Sequence, residues 1–304
     1  MINIIEKRKI FYAISAFFVL ASLVLLFVFG LKPGLDFTGG SLFEFTFTEK
    51  RPALLELQQS LSHLNLSGLV IQPIGERGYL LKTGFISLTD QQSILSSLKE
   101  NFEKENNIVQ EQRVETIGPT VSADLRNRSI KTALYVSLSI VAYIAFSFRR
   151  VSRPIQSWKY GLVAVVALFH NVIITMGVFA LLGKYQGVEV GIPFVVAIMT
   201  ILGATVNDTI VVFDRIRENL VRRGSENFAQ TVNFAVNETI GRSVNISLAI
   251  VLTLAALLFF GGDTIHYFSL ALLIGIVSGT YSSIFLASPL LVSWQQWKRK
   301  QSSR

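Results

Sequence analysis

Asp208 lies inside the run 191–213, GIPFVVAIMTILGATVNDTIVVF, which is apolar enough and long enough to cross a bilayer as one helix. A carboxylate in such a helix costs about 2.5 to 3.5 kcal/mol on insertion scales, so an acid there faces a partner, a cavity or a proton path. The chemistry open to it is proton uptake and release, because a carboxylic acid in a bilayer ionises when a cation approaches and reprotonates when it withdraws. Arg242, in NETIGRSVNIS, can supply that cation, since its long side chain can reach along its helix into a bundle. Plainer readings stand beside these: an interhelical hydrogen bond for Asp208, which its neighbours Asn207 and Thr209 could equally make, and surface anchoring for Arg242. His170 and Asn171 fall mid-span in ALFHNVIITMG, where the expectation is a buried neutral histidine bonded within the bundle rather than a proton carrier.

Other chemistries lack their residues. No GxxxxGKS or GxxxxGKT loop, GxGxxG fingerprint, HExxH or GxSxG is present, so neither nucleotide hydrolysis nor hydrolase chemistry is supported, and no enzyme activity is expected. No metal-ligand cluster stands out, and zero cysteines exclude disulfides, iron–sulfur clusters and thiol chemistry. No cofactor is expected. The energy source left is an ion gradient, worth about 2.3 kcal/mol per charge per 100 mV, carried by protons with sodium as the alternative.

The elements that must hold these residues are membrane helices. Hydrophobic residues make up 51% of the 304 and charged ones 16%, too apolar for an ordinary soluble domain. Six apolar segments of spanning length can be marked, at 10–31, 132–148, 160–182, 190–213, 243–260 and 265–294. The first reads as a retained signal anchor rather than a cleaved leader. Lys7, Arg8 and Lys9, the 149–159 loop with Arg149, Arg150, Arg153 and Lys159, and the 295–304 tail with Lys298, Arg299, Lys300 and Arg304 all fall on one side. The loops after spans three and five hold only Lys184, Glu189 and Asp263, so the basic side is cytoplasmic and both termini lie there. The net charge of +8 thus reports topology and anionic lipid headgroups rather than nucleic acid. The 214–242 loop is also cytoplasmic, with Asp214, Arg215, Arg217 and Glu218 forming a helix with mutual ion pairs. Gly275 and Gly279 make a GxxxG in span six, which suits close helix packing.

The polar insertion 32–129 is long enough to fold by itself and should face the outside. SLFEFTF (41–47) alternates as a half-buried strand, 53–64 follows with helical spacing, LVIQPI and GYLLKTGF flank a turn at 75–78, 90–106 reads as a helix capped near Thr89 or Asp90, and 108–117 is a final strand. Strand, helix, strand, strand, helix, strand is the split βαβ, ferredoxin-like order. His63 is a surface residue, and an exposed strand edge, first to be probed along 41–47, could add a strand of a client chain.

LDFTGG (35–40), with Asp36, Gly39 and Gly40, NDTIVVFDRIREN (207–219), the Arg242 region, FGG (260–262) and LLIGIVSGTYSSIFLASP (272–289) occur in that order. Together they resemble the SecD/SecF family of the resistance-nodulation-division (RND) superfamily, and within it the SecF subunits of the bacterial preprotein translocase. The resemblance implies a six-helix RND-like bundle with one α+β ferredoxin-like periplasmic domain in the bacterial inner membrane. It implies a SecD-like partner beside the SecYEG channel, with the proton motive force promoting export of preproteins. The family's intramembrane acid maps onto Asp208 and its basic residue at the start of span five onto Arg242, with a further acid expected on SecD. The family commonly has an acid after the span-three histidine; here that position is Asn171, which cannot titrate. Two other functions remain open at this point: an exporter half of the same superfamily for lipids or small molecules, and a passive translocon assembly or chaperone subunit.

Overall fold

A computed structural model describes residues 1–103, 107–147, 156–223 and 227–302. Arg149, Arg150, Arg153 and Arg304, which the orientation argument used, lie outside them. The chain forms two compact units, Met1–Lys32 with Lys131–Arg304, and Pro33–Ile130.

The larger unit is helical. Its helices are α1 (Arg8–Phe29), the end of α5 (Pro119–Ser147), α6 (Ser157–Tyr185), α7 (Ile192–Arg223), α8 (Phe228–Phe260), α9 (Asp263–Tyr281) and α10 (Ser288–Ser302), with α2 to α4 in the other unit. Among the described residues five helices are long and apolar enough to cross a membrane: α1, α6, α7, α8, and α9 continued through α10. The segment 132–147, expected as a span, is the second half of α5, whose first half carries Asp124, Arg126, Arg128 and Lys131 and dilutes its apolar character. The stretch 214–242, expected as a loop, is largely helix, because α7 runs on to Arg223 and α8 begins at Phe228. Repeated good helix formers and i, i+3 and i, i+4 charge pairs such as Arg215 with Glu218 and Arg222 with Glu218 carry these helices past the apolar limit.

One irregularity breaks the last span. Ser282–Ala287 is a π-helical segment between α9 and α10. Pro289 has no N–H to give the carbonyl four residues back, and Ser288 Oγ donates instead to Ser283 O, five residues back, at 3.2 Å.

The smaller unit is a four-stranded antiparallel sheet in the order β2-β3-β1-β4, from β1 (Gly40–Phe47), β2 (Val70–Ile74), β3 (Gly78–Thr83) and β4 (Val109–Ile117). The helices α3 (Leu54–Leu61) and α4 (Leu88–Phe102) pack on one face. Alternation in β1 sends Phe43, Phe45 and Phe47 inward against Leu57, Leu61, Ile94 and Leu98. Full burial of each such side chain contributes about 1.5–3 kcal/mol. The helix expected to start near Thr89 or Asp90 starts two residues earlier. Ser87 is its N-cap, accepting from Asp90 N at 3.3 Å while the Asp90 carboxylate accepts from Ser87 N at 3.2 Å. β1 pairs on both sides, so 41–47 offers no free edge; the open edges are β2 and β4. β2 carries Pro73, which cannot donate, and β4 is bulged opposite Glu44/Phe45, both devices that blunt an edge.

LDFTGG begins the small unit, with 35–38 as the one-turn helix α2 and Asp36 in its first turn. Gly40 has φ +124, and a Cβ there would stand 2.6 Å from Thr83 O, so β1 can close on β3 only with glycine at its first position. A Cβ on Gly39 would meet Ser122 Oγ at 2.9 Å, which brings the start of α5 against the same turn.

Candidate relay site in the membrane bundle

The inner face of α7 is set by residues four apart. Ile201, Thr205 and Thr209 fall on one line, as four-residue spacing on a helix requires, and Gly275, Gly279 and Ser283 form the matching line on α9 and the π segment. A Cβ on Gly275 would run into Ile201 Cδ1, and one on Gly279 would stand 2.8 Å from Thr205 Oγ1. The third rung is polar, with Thr209 Oγ1 and Ser283 Oγ 3.1 Å apart. GxxxG therefore packs within this chain, glycine letting the two backbones approach.

A buried hydrogen-bond chain crosses the same layer. His170 Nδ1 lies 2.9 Å from Asn171 Oδ1, Asn171 Nδ2 donates to Thr205 Oγ1 at 3.1 Å, and Thr175 Oγ1 donates to Asn171 O at 2.9 Å. Asn171 is fully buried and His170 nearly so, with the imidazole stacked on Tyr281 at 6.2 Å between ring centres. Tyr281 in turn donates to Phe11 O on α1 at 2.9 Å. Asn171 thus carries out a carboxamide's bridging role, both acceptor and donor, where an ionised acid could only accept.

The other face of α7 is open. Val196 is 48% exposed, Thr200, Gly203 and Asn207 are exposed, and a Cβ on Gly203 would meet nothing within 4 Å. Asp208 is half-buried, at the boundary between this open face and the clasped inner face that Thr209 enters. Arg242, on α8, is exposed, and the adjoining Gly241 has open space around it. Among the described residues neither Asp208 nor Arg242 makes a side-chain hydrogen bond or ion pair, so the two are not joined in this structure. Of the residues singled out from sequence, His170, Asn171 and Thr209 enter one network, and Asp208, Asn207 and Arg242 stay outside it.

Charges beyond the apolar stretch are tied both between and within helices. Arg215 Nε and Nη2 donate to the two Glu238 carboxylate oxygens at 2.8 Å each, Asn219 Nδ2 donates to Glu238 at 2.7 Å, and Arg217 pairs with Asp214 at 3.8 Å. Glu238 precedes Arg242 by one turn of α8. Asn233 and Asn237 on the same helix hold the N-terminal backbone: Asn237 Oδ1 accepts from Ile2 N at 2.8 Å, Asn237 Nδ2 donates to Ile2 O at 2.9 Å, and Asn233 Oδ1 accepts from Ile4 N at 3.0 Å. Thr205, Ser283, Tyr281, Glu238 and the two asparagines were not foreseen. The four-residue repeat shared by the runs around 201–209 and 275–283 was the signal that could have found the first two.

The fold and site define a polytopic helical membrane protein with one small antiparallel α/β unit, a half-buried carboxylate at the border of an open face of a spanning helix, and a polar clasp beside it. Residues 97–297 match the family described as protein export membrane protein SecD/SecF, C-terminal, and residues 24–50 match the SecD/SecF GG motif. Relatives named protein translocase subunit SecF include one from Thermobaculum terrenum, 44% identical over 97% of this chain and 94% of its own length. Another, from Desulfurispirillum indicum, is 37% identical over 97% of this chain and 92% of its own. The crystal structure of SecDF, a translocon-associated membrane protein from Thermus thermophilus, superposes with a TM-score of 0.79 at 31% identity over 97% of this chain. This chain spans 39% of that SecDF chain. The chain belongs to the SecD/SecF family of protein export membrane proteins, and its relatives over nearly full length are SecF subunits.

Proposed function

We propose that this chain is the SecF-type accessory subunit of a Sec protein-export machinery, and that with a SecD-type partner it couples an ion gradient, protons by default, to movement of preproteins through SecYEG. The observation that carries the coupling is the setting of Asp208: a carboxylate within a spanning helix, unpaired among the described residues, beside an open stripe of small and polar residues. An acid so placed can meet a second carboxylate or a cation brought by another helical bundle, and can exchange its proton as that group comes and goes. SecDF, 31% identical where aligned, contains in one chain more than twice the length present here, which supports a related second bundle as the partner. Arg242, one turn past Glu238 and exposed, serves in this reading as the cation of the cycle.

The finer architecture belongs to the same proposal. The second half of α5 supplies a sixth span, and the Pro33–Ile130 unit is a ferredoxin-like periplasmic domain; its β-α-β-β-α-β order and β2-β3-β1-β4 sheet support that assignment. Both termini face the cytoplasm of a bacterial inner membrane, a reading that rests on the distribution of Lys and Arg.

The test is Asp208→Asn in inverted membrane vesicles that carry the partner subunit and the channel. Export that no longer responds to the proton gradient, with partner association intact, is the expected result. An unchanged response rejects the coupling and leaves a passive assembly subunit, for which deletion of 33–130 and not Asp208→Asn would abolish the effect.

A further inference from the structure

Two hydroxyls hold the last rung of the α7–α9 ladder, and between them they carry two protons for three contacts. Thr209 Oγ1 is 2.8 Å from Thr205 O and 3.1 Å from Ser283 Oγ; Ser283 Oγ is also 2.9 Å from Gly279 O. Thr209 can donate to its own helix while Ser283 donates across to it, or Ser283 can donate to Gly279 while Thr209 donates across. Either arrangement keeps the rung, and they differ only in which carbonyl is released. The rung stands at the one place where the last span departs from α-helical geometry, since Ser283 belongs to the π-helical Ser282–Ala287. Such single-turn π interruptions are rare and recur at functional sites.

The rung adds a polar contact to the apolar packing of Leu202, Val206, Val212 and Phe213 that sets which way α7 faces. Within the apolar stretch Thr205 and Thr209 tie α7 to other helices by side-chain hydrogen bonds, to Asn171 and Ser283 respectively. Opposite them a Cβ on Gly203 would meet nothing within 4 Å and Asn207 is exposed. Asp208 directly precedes Thr209, and a rotation of α7 by one residue's 100° would carry the carboxylate from the border into the open direction or into the clasped one.

We infer that Ser283, through its hydroxyl contact with Thr209, is a positioning residue for Asp208: it latches the rotation of α7 that keeps the carboxylate at the border of the open face. This rests on the reading of Asp208 as the relay acid. The chain has no cysteine, so single-cysteine variants need no prior changes. Asn207→Cys and Asp208→Cys would each be placed in the full-length chain in lipid vesicles and labelled with a lipid-soluble maleimide. With Ser283 intact, position 207 labels faster than 208. Adding Ser283→Ala reduces that ratio by about threefold or more, the scale of losing one interhelical hydrogen bond. Ser283→Thr, which keeps the hydroxyl, restores the ratio. Ser282→Ala, which removes an equally buried hydroxyl bonded only to Gly279 O, leaves it unchanged. An unchanged ratio in Ser283→Ala, or an equal change in Ser282→Ala, overturns the latch. If Ser283→Ala moves the ratio while Asp208→Asn exports as the wild type does, the latch stands and the relay reading falls.

Discussion

The interiors of the two units differ in how far small and polar residues share the packing. In Pro33–Ile130 the interior is apolar and large, with Phe45, Phe47, Leu57, Leu61, Leu81 and Ile94 all nearly or fully buried, while hydroxyls and amides work at turns and caps. In the helical unit many large apolar side chains point outward, Phe17, Phe27, Phe259 and Phe260 among them, and glycine, serine, threonine and asparagine share the interior with buried Tyr160, Phe179 and Phe213. Burial of apolar surface drives packing in water, whereas lipid tails are as apolar as leucine and reward contact with them equally well. Inside the bundle, close approach and polar bridges therefore add to what large apolar side chains such as Phe179 and Phe213 supply.

The comparison can be broken by truncating each interior in turn. The largest effect is expected from Phe45→Ala, whose side chain is 2% exposed: a loss of about 3–5 kcal/mol in the small unit, read by pulse proteolysis of the full chain in urea. A loss no greater than that from a single hydroxyl in the bundle would remove the contrast. Next, Gly275→Val forces a side chain into Ile201, and about 1–3 kcal/mol of stability in detergent is expected to go. Ile201→Ala in the same chain should recover part of it, and strict additivity of the two changes would show that they do not touch.

A smaller step, Thr205→Val, keeps the shape and removes the acceptor of the Asn171 amide; about 0.6–1.7 kcal/mol is expected, measured by thermal unfolding in mild detergent. No change there would mean that the polar chain is incidental to packing. The smallest effect belongs to Arg215→Ala, which opens a paired but solvent-accessible cluster with Glu238 and Glu218. Its shift in melting temperature should shrink further as salt is raised, and a salt-independent loss would place that cluster with the buried interactions instead.

Phe43, Phe45 and Phe47 were legible in the sequence as the inner face of a strand, because the period of two is a property of the strand itself. The edges were not, since pairing partners come from distant segments; β1, singled out as an edge to probe, lies in the middle of the sheet. The cap at Ser87 rather than Thr89 shows the same limit on a smaller scale, as several nearby side chains could each have closed the first turn and only the Asp90 geometry chose. For the site, Asp208 stood out by itself, because a charge in an apolar run is conspicuous whatever surrounds it. Arg242 stood out equally, yet the structure leaves it apart from Asp208 and gives the hydrogen bonds to Asn171, Thr205 and Ser283 instead.

What the sequence determined alone is whatever depends on composition and local period: that the chain lives largely in a membrane, which segments are helices or strands, and that one carboxylate is out of place. Only the tertiary structure decided that Ile201, Thr205 and Thr209 face Gly275, Gly279 and Ser283, that Pro289 follows a π segment, and that Asp208 lies at the border of an open face. The physical reason is that each residue's environment in a bundle is set by the rotation and register of helices far apart in sequence, and these are fixed by contacts that neither helix encodes without the other.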